Sequence, residues 1–496
     1  MTALPDCLAV HGRERPDALA AHDLSSDSRW TYAELNTAIG QFASLLRRRG
    51  VGCGDRVASL AKNRVELVIL HLACARIGAI YAPVNWRLAA VEIDALVDDA
   101  EPALLIGDES LPHRAFRDTS MVEFALAARR ETAENIAISN HEAPSLILYT
   151  SGTSGRPKGV VLSERHIWQT GHNFAHLGRV TRHSAVLCDA PMFHVIGLIT
   201  NVRPVLLQGG TILVSDGFIA ERTLTRLGST SLGVTHYFCV PQMAAMLRAE
   251  PAFDPARLRR LTAIFSGGAP HSADAIRAWC QDGIPIADGF GMSEAGTVSC
   301  MPIDINSIMT RAGSAGLLAS GTQAEIRDAQ GMPCAAGVAG ELFIKGPSIT
   351  GGYWRQPDAT RAAFDARGWL RTGDIARLDH DGYLWLVDRK KDMFISGGEN
   401  VYPAEIEAAL AQYPGIAECA VVGVPDARWG EVGHLAVVIK DVEAMDFPAL
   451  TSYLGNRLAR YKIPKYVSAI AALPRNGAGK IRKDELRTML SASQPQ

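Results

Sequence analysis

Apolar positions along the chain recur with two periods. Between residues 31 and 50, Leu35, Ile39, Phe42 and Leu46 fall at helical spacing and predict an amphipathic helix. Thr31 and Glu34 supply a Thr-x-x-Glu capping box at its start, and Gly50 ends it after Arg47, Arg48 and Arg49. That basic run reads as a charge match to the end of the helix dipole rather than as a ligand site. Short apolar runs then alternate with helical stretches, at 57–60, 146–149, 185–187, 211–214, 237–240, 261–265 and 284–286. This alternation predicts a parallel sheet of α/β type.

From about Gly340 the pattern changes. Runs at 341–345 and 383–387 read as strands of a smaller antiparallel region, with Asp381-Gly382 as the hairpin signal. Beyond Arg389 the spacing predicts a compact α+β region. It has a helix opened by Pro403, strands at 419–424 and 434–439, a helix near 450–459 and a last strand near 467–472. A domain boundary is expected close to Lys390, giving domains 1–390 and 391–496. No repeat of 20 to 50 residues and no low-complexity tract interrupts this plan.

Composition narrows the function classes. The chain has 496 residues, of which 47% are hydrophobic and 21% charged, close to an ordinary globular protein. Fifty Lys and Arg against 52 Asp and Glu give a net charge of −2, so there is no bulk basic surface for non-specific nucleic-acid binding. Any bound nucleotide needs a local site. Nine cysteines lie at least 20 residues apart, which excludes CxxC zinc and redox motifs and argues for reduced thiols in a cytoplasmic setting. No secretory signal is evident at the start. The longest apolar stretch, 67–84, contains His71, Arg76 and Pro83 and makes a poor membrane span, although peripheral membrane contact stays open.

The densest chemical signal is residues 149–159, YTSGTSGRPKG. A buried strand runs into three glycines, four hydroxyl residues and Lys158, so backbone N–H groups, hydroxyls and an ammonium can converge on phosphate. The spacing is not that of the GxxxxGK[ST] loop. Two other strand candidates end similarly, one in Ser266-Gly267-Gly268-Ala269-Pro270 and one in Asp288-Gly289-Phe290-Gly291-Met292-Ser293-Glu294. Ligands of open α/β sheets sit at the carboxyl ends of strands, so these loops can share one crevice. Glycines let a flat base approach the backbone, Phe290 can line the slot, and Glu294 is a candidate magnesium ligand. Further along, Asp374 can accept from ribose hydroxyls, Arg389 offers fixed donors to ribose or phosphate, and Lys480 sits on a Gly-rich loop. His172 and His176, at i and i+4, lack the third ligand and the Glu that a zinc site needs.

In order and spacing, residues 149–159, 289–294, 371–374, 388–407 and 474–480 resemble the core motifs of the class I adenylate-forming superfamily. That group includes acyl- and aryl-CoA synthetases, amino-acid adenylation domains and beetle luciferases. The resemblance implies a large multi-layered N-terminal α/β domain and a small mobile α+β C-terminal domain. It also implies a reaction: a carboxylate attacks the α-phosphate of MgATP, and a thiol then displaces AMP from the acyl adenylate.

By the same resemblance, Thr150, Ser151, Gly152, Thr153, Ser154, Gly155 and Lys158 hold the β- and γ-phosphates. Gly267, Gly268, Ala269, Phe290, Gly291 and Met292 frame the nucleotide, and Ser293 meets the α-phosphate region. Glu294 binds magnesium, Asp374 the ribose, and Arg389 the ribose or phosphate. Lys480 bridges the attacking carboxylate and the α-phosphate. Lys391 occupies the hinge about which the small domain rotates, and residues 396–400, with Gly397 and Gly398, line the thiol tunnel. Four positions after Lys391, where some members carry a second lysine, this chain has Ile395.

Pro191-Met192-Phe193-His194-Val195 matches the segment lining the acyl pocket in these synthetases. His194 would stand beside the carboxylate or gate the entrance; a core histidine with a structural hydrogen bond is the other reading. Amino-acid-activating relatives usually have Phe-Asp here, so His194 disfavours an amino acid. Val195, Leu198, Phe238 and Met292 suggest an aliphatic or aromatic acid. Sixteen residues follow Lys480, so no fused carrier domain is expected. Coenzyme A is then the first choice of acceptor and a separate carrier protein the second. The chain is expected to act as a monomer or a homodimer.

Overall fold

The computed structural model describes residues 4–109, 118–150, 157–269, 271–396, 399–411, 413–426, 428–440, 447–475 and 480–491. They fall into two compact units. One comprises Met1–Gln323 with Lys345–Leu370, the other Ala324–Ile344 with Arg371–Gln496. Packing groups the strands just before the boundary expected near Lys390 with the C-terminal residues.

The larger unit holds two sheets. In a nine-stranded sheet, six neighbours are parallel, in the order Ile286–Met292, Ala263–Ser266, His236–Cys239, Ala185–Cys188, Thr211–Val214 and Leu19–Asp23. Antiparallel strands finish both edges. A six-stranded sheet contains Arg56–Leu60, Ile80–Pro83 and Pro144–Thr150 in parallel, with Lys158–Ser163 antiparallel at its edge. The run at 211–214 forms its strand with the expected bounds. The run at 284–286 does not. Its strand begins at Ile286 and continues through Met292, because Gly289–Met292 pairs antiparallel with Gly296–Cys300 instead of leaving the sheet as a loop.

Local signals in the sequence act as expected. The helix Tyr32–Arg48 carries its capping box: Glu34 N donates to Thr31 Oγ1 at 3.2 Å and Thr31 N to Glu34 Oε2 at 2.8 Å. Leu35, Ile39, Phe42 and Leu46 are buried along one face. Arg47 and Arg48 lie in the last turn and pair with Glu134 and Glu131. The apolar stretch 67–84 is the buried helix Val65–Ile77, stopped by Gly78 at φ 76°, and the strand Ile80–Pro83. Among the described residues no helix is long and apolar enough to cross a membrane.

The helix Glu164–Leu177 ties the two sheets together. It is capped by Ser163, the last residue of a strand in the six-stranded sheet. Its Phe174 ring packs 4.8 Å from Phe265 and 6.0 Å from Phe238 of the nine-stranded sheet. At its first turn Glu164 is buried and receives Arg203 Nη2 at 2.5 Å and Ser145 Oγ at 2.8 Å, with His71 Nε2 3.6 Å away. Those three partners bring its carboxyl below the usual range against the opposing effect of burial.

The smaller unit contains a four-stranded sheet in the order Gln323–Arg327, Gly340–Lys345, Leu370–Leu378 and Leu384–Arg389. Its second sheet is built on the long hairpin Ile416–Asp426 and Gly430–Ile439. Both faces of that hairpin are covered. Val421, Leu435 and Val437 pack with Ile406, Leu410 and Leu454; Val422, Val424 and Ala436 pack with Leu473, Leu486 and Leu490. Burial on both sides explains why these strands read as continuous apolar runs.

Candidate active site

The phosphate-loop reading falls on a hairpin. Strand Pro144–Thr150 pairs with Lys158–Ser163 so that Thr150 faces Lys158 and Tyr149 faces Gly159. Ser151, Gly152, Thr153, Ser154 and Gly155 in its connection lie outside the described residues. Thr150 Oγ1 donates to the Lys158 carbonyl at 3.3 Å. Gly159 is obligatory, since a Cβ there would stand 2.8 Å from Ile147 Cγ2 and 3.1 Å from Trp354 Cβ.

The segment around Tyr353, which the sequence reading passed over, lies against this hairpin. Trp354 N donates to the Gly159 carbonyl at 2.7 Å and Gln356 Nε2 to the Pro157 carbonyl at 3.0 Å. The Tyr353 hydroxyl donates to Glu294 Oε1 at 2.9 Å, and Lys158 Nζ sits 5.0 Å from the centroid of the Tyr353 ring. The candidate phosphate lysine and the candidate metal carboxylate are therefore brought to the same side chain. Glu294 has no ion-pair partner among the described residues, so a hard oxygen ligand is left for magnesium, which takes one or two carboxylates and completes its shell with phosphate and water. The residues present fit that ion. His172 stacks on Trp168, with ring centroids 5.1 Å apart.

Beside this hairpin the nine-stranded sheet presents its carboxyl ends. Gly267 lies close to Gly289: a Cβ on Gly267 would be 3.0 Å from the Gly289 carbonyl and 3.4 Å from Phe238 Cζ. Gly268 adopts φ 83°, a conformation that favours glycine, and faces Ile196 and Val240. Phe290 is buried, and Gly291 has room for no side chain because Gly296 O would be 2.4 Å from its Cβ. Ala269, Met292 and Ser293 follow on the same two segments. Asp288 was not singled out from the sequence. It aligns with Ser266 on the neighbouring strand, is buried, and keeps an Oδ1 without a hydrogen-bond partner. Burial holds its carboxyl well above the usual range. Its signal in the sequence is its place directly before Gly289-Phe290-Gly291.

The acyl segment is held by a second residue that the sequence did not flag. Asn63 donates to the Ala190 carbonyl and accepts from Met192 N, both at 2.8 Å, clamping the turn before His194. His194 N closes that turn on the Pro191 carbonyl at 3.1 Å, and the His194 ring meets the Phe193 ring edge-on at 4.6 Å. The chain continues as a π-helix, Ile196–Asn201, a geometry concentrated at functional sites. Leu198 is fully buried; Val195, Phe238 and Met292 are partly exposed.

In the smaller unit Asp374 and Arg389 are cross-strand partners, with Arg389 Nε 2.8 Å from Asp374 Oδ1. Asp374 is 5% exposed and its N–H is fixed by Thr372 Oγ1 at 3.0 Å. Lys391 is exposed in the turn just after this hairpin. Gly397 and Gly398 lie outside the described residues, between the paired strands Phe394–Ser396 and Glu399–Val401. Lys480 is exposed, next to the Arg475–Ile481 bridge. Asp388 caps the helix Pro403–Leu410 through Ala404 N at 2.9 Å, and burial pushes its carboxyl up to about 6.

A two-sheet unit with a cation and a carboxylate that meet one tyrosine beside glycine-bearing strand ends, and a second unit with a buried carboxylate held by arginine, define a nucleotide-using α/β enzyme. The chain belongs to the AMP-binding enzyme family, which matches residues 8–354, and the AMP-binding enzyme C-terminal domain matches residues 405–480. It is 37% identical to a feruloyl-CoA synthase of Amycolatopsis over 92% of this chain and 93% of the relative. It is 35% identical to the long-chain-fatty-acid–CoA ligase FadD13 of Mycobacterium tuberculosis, over 95% of each. Among solved structures it resembles the o-succinylbenzoate CoA synthetase of Bacillus subtilis in complex with its acyl-adenylate intermediate. The TM-score is 0.88 at 30% identity, covering 100% of this chain and 99% of the other. The same enzyme in complex with ATP and magnesium gives a TM-score of 0.87 at 30% identity, covering 99% and 100%.

Proposed function

We propose that this protein is an ATP-dependent, AMP-forming ligase that joins a fatty or aryl carboxylic acid to coenzyme A through an acyl adenylate. The observation that carries this reading is the pair Lys158 and Glu294, opposite charges that meet one tyrosine and form no ion pair among the described residues, with Lys158 on the hairpin where the phosphate motif lies.

The chemical difficulty is that one anion must attack another. Donors and cations fixed where charge develops lower that barrier. In this reading Lys158 and the hairpin loop hold the β- and γ-phosphates, Ser293 meets the α-phosphate, and Asp374 accepts the ribose hydroxyls with Arg389 beside it. Glu294 would hold magnesium, which when bound neutralises phosphate charge. Lys480 delivers its ammonium to the attacking carboxylate, and rotation about Lys391 replaces it by the thiol tunnel at Gly397 and Gly398. His194, held by the Asn63 clamp, stands at the acyl carboxylate or its entrance. The relatives are ligases of CoA, which favours that acceptor over a carrier protein.

The test is a panel of short, medium and long fatty acids with benzoate and cinnamate types, supplied with ATP and CoA and scored for pyrophosphate, AMP and thioester. Acid-dependent AMP and thioester support the reading. Acid-dependent pyrophosphate that yields thioester only on an added carrier protein would replace CoA as the acceptor, and no pyrophosphate with any acid would refute the proposal.

A further inference from the structure

Lys158 and Glu294 carry opposite charges and meet the same side chain, yet they do not pair with each other. Among the described residues neither forms any ion pair. A lysine and a glutamate free to meet would gain Coulomb energy by doing so, and each would then be lost to a ligand. The group both of them meet is Tyr353, with Lys158 Nζ 5.0 Å from its ring centroid and its hydroxyl 2.9 Å from Glu294 Oε1. The aromatic face attracts the ammonium, and the phenol donates to the carboxylate.

Tyr353 is itself rigidly placed. It bridges to Val160, its N–H is held by Thr360 Oγ1 at 2.9 Å, and the next N–H bonds to Gly159 at 2.7 Å. The backbone of Glu294 is tied to the same segment, since its carbonyl accepts from Thr350 N at 2.7 Å. One oxygen of Glu294 is engaged by the hydroxyl, which restrains the carboxylate.

We infer that Tyr353 is a positioning residue that keeps the phosphate lysine Lys158 and the metal carboxylate Glu294 apart and oriented, so that both are available to one metal–nucleotide complex. This rests on the reading of Glu294 as the magnesium ligand. Partners that orient a metal ligand are typically worth about ten- to a hundredfold in metal affinity.

The test uses the full chain and binding measurements rather than turnover. Binding of the Mn2+–ATP complex is followed by the enhancement of the water-proton relaxation rate, which rises when the complex binds protein; metal-free ATP binding is followed by calorimetry. Tyr353→Phe keeps the ring and removes the hydroxyl. It should weaken Mn2+ binding by about tenfold or more and leave metal-free ATP binding within about twofold, because the ring still meets Lys158. Tyr353→Leu removes both contacts and should weaken the two together. Glu294→Gln should match Tyr353→Phe on the metal, and the double variant should lose little more than either, as expected of residues acting through one another. Thermal unfolding of each variant establishes that it folds. Wild-type Mn2+ binding in Tyr353→Phe, beside a weakened Glu294→Gln, would overturn the inference and leave the metal reading standing. Wild-type binding in Glu294→Gln would remove the metal reading and this inference with it.

Discussion

Replacement of Asp374 by alanine should remove recognition of the ribose without disturbing the fold. Asp374 is 5% exposed, and its Oδ1 already accepts from Arg389 Nε at 2.8 Å. A carboxylate offers about four acceptor sites, more than one arginine and two ribose hydroxyls require. Hydrogen bonds to a charged group contribute about 1.5 to 3 kcal/mol each. At the lower figure, two bonds give about 3 kcal/mol, or roughly a hundredfold in kcat/KM for ATP. The fold should tolerate the change. The Arg389 side chain is 47% exposed and returns to water, so removing Asp374 leaves no charge buried without a partner, and the strand ladder is backbone. The assay is pyrophosphate release with ATP, 2′-deoxy-ATP and 3′-deoxy-ATP. The wild type should disfavour each deoxynucleotide by about tenfold, and Asp374→Ala should accept all three almost equally at the lower rate. A variant that still discriminates as the wild type does would refute the ribose assignment.

Lys480→Ala should abolish acid-dependent pyrophosphate formation yet still convert a supplied acyl adenylate and CoA to thioester; equal loss of both half-reactions would remove Lys480 from the first step. Lys391→Pro, by fixing φ near about −65°, should leave adenylation largely intact and block thioester formation, and a variant keeping both rates would rule out a hinge there. Arg203→Met strands the buried Glu164 carboxylate and should cost about 3 to 5 kcal/mol in chemical denaturation; adding Glu164→Gln should recover much of it, and a double variant no better than the single would contradict the ion-pair account. Burial, assisted by Arg203 and opposed by Glu164, lowers His71 to about 4, so between pH 6.5 and 4 the unfolded imidazole binds a proton that the folded one refuses. Stability should be full above pH 6.5 and fall by up to about 3 kcal/mol as pH drops through that window; His71→Phe should flatten this limb in pH-dependent unfolding, and an unchanged slope would exclude His71 as its source.

Much of the plan is legible in the chain because it is written between near neighbours. The capping box at Thr31, the strand at 211–214 and the hairpin turn at Asp381-Gly382 depend on residues a few positions apart, as do the glycine-bearing motifs. The order and spacing of those motifs were enough to name the family and the reaction type. The extension of the strand Ile286–Met292 was not legible, since it depends on pairing with Gly296–Cys300 rather than on its own apolar run. Nor were the contacts of Asn63, 127 residues from Ala190, or Tyr353, 59 residues from Glu294. An asparagine in a polar loop and a tyrosine in a Gly-rich one carry no local mark of their partners. The sequence by itself determined which chemical groups are present and which elements carry them. The tertiary structure decided which of them meet, because closing the chain over such separations depends on the packing of both sheets of the larger unit, and no short-range pattern records that.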